Sequence, residues 1–486
     1  MFIGVDLGTS AVKLLLLGDE GGIIKKVSVD YPISFPKPGW SEQSPEDWYE
    51  GVLTGLKMLL ESVDKEQVQG IGVGGQMHGL VILDKDDNVI RPAILWNDGR
   101  TIRETDFLNN EIGKSKLSEY TGNIAFAGFT APKILWVKDN EPENFSRIEK
   151  LMLPKDYIVY NLTGEYVSDY SDASGMLLLD VKNKCWSDQM KEICGISHIT
   201  LPTLYESFQV VGELKDDICK ELGLKKGVKV VAGAGDNAAA AIGTGTVGEG
   251  KCNLSLGTSG TLFISSDHFS VDKENALHSF AHADGGYHLM GCMLSAASCN
   301  KWWMEDILNS SDYEKAQSGI KNLGENNVFF MPYLMGERSP YNNPLVRAGF
   351  LGMSMDTSRE DMVQAVLEGV AFGLRDSLEI ARAQGINVKA SNICGGGAKS
   401  PLWRRIIASV MNLTLEIQEN DEGPALGGAI LAAVGCGIYK DVKEASEKII
   451  HVVSRTEPEN ELVEKYEKQY EKYRKLYPML KNFYDI

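Results

Sequence analysis

The sequence predicts an α/β protein made of two similar lobes. Apolar runs with the length of buried strands alternate with longer stretches of helical periodicity, as in chains that fold into mixed α/β layers. One strand–corner–strand pattern also occurs twice, about half the chain apart, which indicates an internal duplication. Hydrophobic residues make up 43% of the 486 residues, enough for large cores and too many for a disordered chain.

The first elements are two strands joined by a short glycine-bearing corner. Apolar residues 2–5 lead into Asp6-Leu7-Gly8-Thr9-Ser10, and a second apolar run follows over 12–17. Turn residues at 18–22 then precede a third strand that begins at Ile23. These residues predict a β-meander whose first corner carries backbone N–H groups and hydroxyls.

The corner returns in the second half of the chain. Leu7 to Ser10 recurs as Leu256-Gly257-Thr258-Ser259, again between two strand-like runs, and Ser255 stands where the first copy has Asp6. If both corners face one polyphosphate, their N–H groups and threonine hydroxyls can hold phosphate oxygens from both sides. The single carboxylate then suits a Mg²⁺ ion between protein and phosphate. The alternative is a pair of tight turns in unrelated hairpins.

The duplication predicts a boundary between residues 241 and 250. This stretch is rich in glycine and alanine, as a hinge between lobes can be. We therefore expect an N-terminal lobe over 1–245 and a C-terminal lobe over 246–486.

Polar residues follow two more of the predicted strands. A helix is expected over 45–63 and a buried strand over 68–73, after which Gln76-Met77-His78-Gly79 stands where α/β proteins commonly bind ligands. The segment from Trp96 to Arg100 combines an aromatic ring with amide and carboxylate groups, a mixture that suits a carbohydrate. The alternative for a lone histidine such as His78 is a structural role.

A carboxylate stands at a strand-to-helix junction in the segment 228–241. The strand 228–231 runs into Ala232-Gly-Ala-Gly-Asp236-Asn237 and then into small residues. A helix N-terminus stabilises the charged form of a general base, and the glycines let a substrate approach. Two alternatives stay open: Asp236 as a simple N-cap, and the segment 233–238 as a G-x-G-x-x-A dinucleotide fingerprint.

A triple glycine, Gly395-Gly396-Gly397, follows the strand-like residues 391–394 and precedes a predicted helix over 401–407. It is not a P-loop, because Ala398 stands where that motif needs glycine. Such a loop lets a flat ring such as a nucleotide base lie against the backbone. Close packing of two backbones is the alternative.

Two other patterns predict structure rather than chemistry. His278, His282 and His288 lie in a predicted hairpin, where positions i and i+4 of a strand are about 13 Å apart, too far to share one metal. Tyrosines 466, 470, 473 and 477 form a stripe typical of the buried face of one C-terminal helix.

The net charge of −18 argues against a nucleic-acid partner, which needs a basic face. Neither a signal peptide nor a membrane span is predicted, and eight scattered cysteines without a C-x-x-C pair favour a reducing, cytoplasmic location.

Taken together and in this order, the motifs resemble those of the FGGY carbohydrate kinases. Residues 128–136 resemble the first signature of the family, and residues 349–353 with 365–369 resemble the second. The resemblance covers nearly the whole chain. It implies a two-lobed, actin-like ATPase fold of the ribonuclease H type, with ATP and a sugar in the cleft between the lobes.

The resemblance also implies roles for individual residues. Asp236 is expected to be the general base, and the sugar is expected to contact Met77, His78, Asp236, Asn237 and Trp96. Asp6 is expected at the Mg²⁺. The residues expected at ATP are Gly8, Thr9, Ser10, Lys13, Gly257, Thr258, Ser259, Gly396 and Gly397.

The resemblance implies D-xylulose as the sugar, mainly through the Met77–His78 pair. Glycerol is disfavoured, because glycerol kinases of the family carry an Arg-Glu pair at that place. Related ketopentoses, pentitols and deoxy sugars stay open as alternatives. A nicotinamide-dependent oxidoreductase and a non-enzymatic actin-like protein are the more distant ones. A homodimer is common in the family that the chain resembles.

Overall fold

Two seven-stranded sheets organise the chain, one built from residues 2–235 and the other from residues 251–456. They are seen in a computed structural model that describes residues 1–420 and 422–484. The α/β, two-lobed fold that the sequence predicts is therefore confirmed.

The first half carries the first sheet and several two-stranded additions. Its strands are β1 (Phe2–Leu7), β2 (Ala11–Leu17), β3 (Ile23–Asp30), β4 (Glu42–Gln43), β5 (Gly70–Gly75), β6 (Val81–Leu83), β7 (Ala93–Ile94), β8 (Lys150–Met152), β9 (Val167–Asp169), β10 (Leu179–Asp180), β11 (Cys185–Trp186), β12 (Thr203–Tyr205), β13 (Val210–Glu213), β14 (Lys229–Val231) and β15 (Ala234–Gly235). Its helices are α1 (Pro45–Leu59), α2 (Ile102–Asp106), α3 (Lys114–Thr121), α4 (Thr130–Asn140), α5 (Pro142–Ser146), α6 (Pro154–Thr163), α7 (Tyr170–Ala173), α8 (Asp188–Cys194), α9 (Asp216–Leu222) and α10 (Asp236–Gly243).

The second half carries the second sheet. Its strands are β16 (Lys251–Leu256), β17 (Gly260–Ser266), β18 (His278–Ala281), β19 (Tyr287–Met293), β20 (Phe329–Met331), β21 (Gly349–Leu351), β22 (Ala390–Cys394), β23 (Thr414–Gln418) and β24 (Val452–Thr456). Its helices are α11 (Ala297–Lys301), α12 (Tyr313–Ser318), α13 (Arg359–Ala383), α14 (Pro401–Met411), α15 (Gly423–Gly435), α16 (Val442–Ile449), α17 (Asn460–Tyr473) and α18 (Leu476–Tyr484).

The two sheets repeat one topology. The first has the order β13-β14-β5-β1-β2-β3, with β15 also paired to β5, and the second has the order β18-β19-β17-β16-β22-β23-β24. In both, the first strand pairs antiparallel with the second and parallel with a later strand, β5 or β22. Asp6 lies opposite Lys13 in one ladder, just as Ser255 lies opposite Thr261 in the other.

A helix from the second half covers one face of the first sheet. Helix α15 lies so close to β1 that a Cβ on Gly4 would stand 1.7 Å from the carbonyl oxygen of Ala425. It also lies against α10, where a Cβ on Gly427 would stand 1.8 Å from the carbonyl oxygen of Ala239. Small residues therefore set how closely the two halves pack. The boundary near residue 245 stays a prediction.

Two predicted helices differ in extent from the observed ones. The helix expected over 45–63 ends at Leu59, and Ser62 beyond it takes a φ of 63°. The tyrosine stripe is buried as expected, but it spans α17 and α18 rather than one helix. Pro478 explains the break, because its nitrogen cannot donate a helical hydrogen bond to the preceding turn.

None of the helices in residues 1–420 and 422–484 is long and apolar enough to cross a bilayer.

Candidate active site

Asp236 is the first residue of α10, directly after the short strand β15. Gly235 occupies the N-cap position, so Asp236 does not act as the cap. Its Oδ1 accepts hydrogen bonds from the backbone N–H of Asn237 at 2.7 Å and from the Asn237 side-chain amide at 3.1 Å. These bonds fix the carboxylate and leave Oδ2 for another donor.

Asp6 lies beside this carboxylate across β5. Both Asp6 and Ala234 pair with Gly74, so they flank β5 at the same level. Burial raises the pKa of Asp236 to about 7, and the charge of Asp6 adds to this, against the opposing effect of the Asn237 amide. A carboxylate poised near neutral pH is suited to accept a proton.

Asp6 is a carboxylate of the kind that binds a hard divalent cation. Burial raises the pKa of Asp6 to about 6, with Lys13 opposing and Glu422 adding to the shift. Mg²⁺ typically takes one or two carboxylates and completes its shell with phosphate oxygens and water. The described residues contain no group of three or more His, Cys, Asp or Glu able to hold a metal, so those other ligands would have to come from nucleotide and water.

Met77, which precedes His78, contacts the segment that carries Asp236 and Asn237. The Met77 sulfur is 3.7 Å from the side-chain amide of Asn237, and a Cβ on Gly235 would stand 3.0 Å from the same sulfur. The His78 ring stacks on Phe129 with centroids 4.7 Å apart. The structure thus brings together, through Met77 and Asn237, the two segments that carry the predicted sugar-site residues Met77, His78, Asp236 and Asn237.

The ring of His78 is neutral and has a defined tautomer. Burial is the main cause that lowers the pKa of His78 to about 3, and the charge of Lys133 adds to it. Its Nδ1 lies 2.7 Å from the carbonyl oxygen of Gly175, an acceptor, so Nδ1 carries the hydrogen. His78 Nε2 is left as an acceptor, which matches a hydroxyl donor on a sugar.

Residues 128–136, which resemble the first family signature, hold the backbone of His78 in place. His78 has a left-handed backbone with φ of 69°, which is rare for a residue with a side chain. Its carbonyl accepts hydrogen bonds from Lys133 Nζ at 2.7 Å and from the Thr130 hydroxyl at 3.1 Å. Lys133 is fully buried. The sequence showed this signature but not its contact with His78.

Four side chains hold the first corner through hydrogen bonds, a role that the sequence did not predict for any of them. The carbonyl of Gly8 accepts from the Tyr31 hydroxyl and from Gln76 Nε2, and the carbonyl of Thr9 accepts from Gln43 Nε2 at 2.7 Å. Trp96 Nε1 donates to the Thr9 hydroxyl at 3.0 Å. The predicted sugar residue Trp96 thus contacts the corner directly.

The remaining predicted residues of the first corner lie at its edges. Lys13 faces Asp6 across the β1–β2 ladder, and its charge partly opposes the rise in pKa that burial causes at that carboxyl. Ser10 is exposed at the tip, where its carbonyl accepts from the backbone N–H of Tyr31 at 3.2 Å.

The second corner opens onto a cavity of about 930 Å³. Gly257, Thr258, Gly396 and Gly397 all line it, whereas Ser259 is exposed beside it. Further lining residues that the sequence analysis did not assign are Ser298, Asn300, Lys301, Tyr313, Gln317 and Ser400. The carbonyl of Thr258 accepts from the Ser298 hydroxyl at 2.7 Å, which ties the corner to α11.

The triple glycine permits close backbone packing at Gly395 and leaves open space at Gly396. A Cβ on Gly395 would stand 2.7 Å from the Leu256 backbone, so Gly395 permits two backbones to pack closely. A Cβ on Gly396 would meet no atom within 4 Å, so this residue leaves room at the cavity. Gly397 packs against Leu256 and Trp403.

Gly233 belongs to packing rather than to a dinucleotide fingerprint. Its φ is 80°, and a Cβ there would stand 2.1 Å from the carbonyl oxygen of Val73. The glycine is required by the neighbouring strand, so this segment gives no support to a nicotinamide site.

The histidines 278, 282 and 288 lie in an aromatic cluster. His288 stacks on Phe263 with centroids 4.0 Å apart, and His282 Nε2 lies 2.9 Å from the carbonyl oxygen of Thr246.

Comparison with known proteins places these features in one family. Residues 1–243 match the sequence model of the N-terminal domain of the FGGY family of carbohydrate kinases, and residues 252–436 match that of its C-terminal domain. The chain is 40% identical to the xylulose kinase of Escherichia coli K12, over 99% of each chain. It is 42% identical to that of Klebsiella pneumoniae, over 89% of this chain and 90% of the other.

A solved structure agrees with the sequence relatives. The crystal structure of a xyloylose kinase from Brucella ovis superposes with a TM-score of 0.94 at 38% identity, over 99% of each chain.

Proposed function

The chain belongs to the FGGY family of carbohydrate kinases, which use ATP to phosphorylate a sugar, and we propose that its sugar is D-xylulose, phosphorylated on the 5-hydroxyl. The observation that carries this proposal is the contact of Met77, the neighbour of His78, with Asn237, the neighbour of Asp236. The xylulose kinases to which the chain is similar at 40–42% identity support the same sugar.

The residues of the site divide the work of phosphoryl transfer. His78 Nε2 accepts a hydrogen bond from a sugar hydroxyl and thereby orients the substrate. Asp236 Oδ2 accepts the proton of the 5-hydroxyl as that oxygen forms its bond to the γ-phosphorus, while the bond between this phosphorus and the β–γ bridging oxygen breaks and ADP leaves. Such a base contributes about 10²–10⁴ in rate.

The two corners hold the nucleotide in this proposal. Backbone N–H groups and threonine hydroxyls near Gly8 and Gly257 bind phosphate oxygens, and the cavity at Gly396 takes the adenosine. Asp6 would hold Mg²⁺, which supplies charge neutralisation on the phosphates when bound. A homodimer and a cytoplasmic location stay predictions.

A coupled ADP-release assay tests the sugar. We expect the highest kcat/KM with D-xylulose among D-xylulose, D-ribulose, xylitol and glycerol, and no turnover without Mg²⁺. A higher value for another member of the panel would transfer the proposal to that sugar. Absence of sugar-stimulated ADP release would overturn it.

The variant Asp236→Asn tests the base. We expect kcat to fall about 10²- to 10⁴-fold, because the amide cannot take the proton, while nucleotide affinity measured by calorimetry stays close to that of the parent. Asp188→Asn is the matched control, since the Asp188 side chain is 90% exposed on α8, and should leave kcat unchanged. Near-normal turnover of the Asp236 variant would remove Asp236 from the mechanism.

A further inference from the structure

A buried cluster of charged residues lies behind Asp236. Lys155 Nζ is 2.6 Å from Asp156 Oδ1 and 3.1 Å from Asp169 Oδ1, and all three side chains are at most 1% exposed. Asp172 completes the cluster and is fully buried, and neither of its carboxylate oxygens has a hydrogen-bond partner in the described part of the chain. The family function described above uses none of these four residues.

Two hydrogen bonds connect the cluster to the backbone of the segment that carries Asp236. Lys155 Nζ donates to the carbonyl oxygen of Ala232 at 3.0 Å. Three residues further on, the hydroxyl of Ser171 accepts from the backbone N–H of Gly235 at 3.2 Å. Between these points Gly233 turns with a φ of 80°, and Asp236 follows Gly235 directly.

Ser171 is itself held by the cluster. Asp169 Oδ2 accepts from the Ser171 hydroxyl at 2.5 Å and from the Ser171 backbone N–H at 2.9 Å. The same oxygen accepts from the Ser207 hydroxyl at 2.8 Å. A continuous chain of contacts therefore runs from Lys155 through Asp169 and Ser171 to the residue before Asp236.

Stability alone gives a weak reason for such a cluster. Removing charges from water is costly, so a buried ion pair is often no more stabilising than apolar residues of the same volume. Burial also raises the pKa of Asp172 well above its ordinary value, so its charged form is disfavoured at this position. A buried network that is well connected does, however, fix local geometry, and catalysis depends steeply on the placement of the reacting group.

We propose that Ser171, fixed by Asp169 and Lys155, is a positioning residue for Asp236. It holds the N–H of Gly235 and so sets where the carboxylate stands at the start of α10. The proposal rests on Asp236 acting as the base. It concerns the placement of this group and not its identity.

Two serines on one carboxylate oxygen allow a matched test. Ser171→Ala and Ser207→Ala each remove one hydroxyl bond to Asp169 Oδ2, but only the first removes the partner of Gly235. We expect Ser171→Ala to lower kcat roughly 10- to 100-fold with the KM values for sugar and ATP within about twofold of the parent. Ser207→Ala should keep kcat within about twofold. Thermal melting checks that both variants fold.

Repeating the test in the Asp236→Asn variant distinguishes the positioning role of Ser171 from the role of Asp236 as the base. If Ser171 acts through Asp236, Ser171→Ala causes no further loss of kcat when Asp236 is already replaced by Asn. Equal losses from the two serine variants, a Ser171→Ala variant with unchanged kcat, or a loss seen in KM alone would overturn the positioning role. A fully active Asp236→Asn variant would instead overturn the assignment of the base.

Discussion

At the scale of single residues, the chemistry of the site depends on which oxygen or nitrogen of each side chain is not already hydrogen-bonded within the protein. Asn237 occupies Oδ1 of Asp236, and Gly175 occupies Nδ1 of His78. What remains is one carboxylate oxygen and one imidazole acceptor, provided by neighbouring segments of the first lobe. Both are acceptors, and a sugar with adjacent hydroxyls supplies the donors.

The raised pKa of Asp236 predicts how activity depends on pH. Only the deprotonated carboxylate accepts a proton, and its pKa is about 7 in the folded protein. We therefore expect kcat/KM to fall about tenfold per pH unit below pH 7 and to level off above it. The measurement is kcat/KM for D-xylulose from pH 5 to pH 9 with ATP saturating.

The variant Asp236→Asn is the control for this profile. The residual kcat/KM of this variant should no longer fall as the pH drops below 7.

The raised pKa of Asp236 also predicts how stability depends on pH. A folded-state pKa above the unfolded value means that the folded protein binds more protons between about pH 4 and pH 7, so its stability falls as pH rises through that window. The variant Asp236→Asn should accordingly melt at a higher temperature than the parent at pH 8. If kcat/KM of this variant still falls below pH 7, the titrating group is not Asp236.

Sequence reasoning reached the residues whose chemistry is local and missed those that act from a distance. Met77, His78, Asp236 and Asn237 stand next to strand ends, where α/β proteins commonly bind ligands, and this position predicts a site there. Tyr31 and Gln43 hold the first corner only because a third strand and a two-stranded addition return beside it. No motif marks such contacts, since they depend on how distant segments pack.

At the scale of elements, the crossing of α10 and α15 determines how the halves meet. Both helices consist largely of alanine and glycine, which predicts helices but not their partner. The close approach explains the composition: carbonyl oxygens of one helix lie where side chains of the other would be. The glycine- and alanine-rich stretch that suggested a hinge begins at the end of this packed pair.

The variant Gly427→Ala tests this crossing. In an exposed helix, alanine is about 1 kcal/mol more favourable than glycine. At position 427 a Cβ would stand 1.8 Å from the carbonyl oxygen of Ala239, so we expect destabilisation by about 1–3 kcal/mol instead. Urea unfolding measures the change.

Gly22→Ala provides the comparison, because a Cβ at that loop position would meet no atom within 4 Å. It should change the free energy of unfolding by less than about 0.5 kcal/mol. A Gly427→Ala variant as stable as the parent would show that the helices can separate without cost.

At the scale of the whole molecule, the duplication seen in a four-residue repeat extends to the full sheets. The two sheets share their central strand order and directions, and one position in the corner distinguishes them, Asp6 against Ser255. The net charge of −18 is compatible with an ATP-dependent kinase under our proposal, because neutral loops and one cation hold the phosphates. The sequence predicted the two lobes, and family membership confirms them.

The sequence could not predict that helix α15 of the second half packs against the sheet of the first half. Phe2, Leu15 and Val231 of the first sheet form one apolar core with Leu426 and Ile430 of α15. A boundary near residue 245 therefore divides the chain but leaves one face of the first sheet dependent on a helix from the second half.

Expression of residues 1–245 alone tests this dependence. Without α15, the apolar face of the first sheet is exposed, and burial of that face contributes at about 25 cal/mol per Å². We expect the fragment to unfold without a cooperative transition and to bind a hydrophobic dye, whereas the full chain melts sharply. Mixing the fragment with residues 246–486 should restore a cooperative transition and sugar-dependent ADP release. A fragment that is monomeric and melts cooperatively by itself would show that the first lobe folds independently, and that the helix from the second half serves the joining of the lobes rather than the stability of the first.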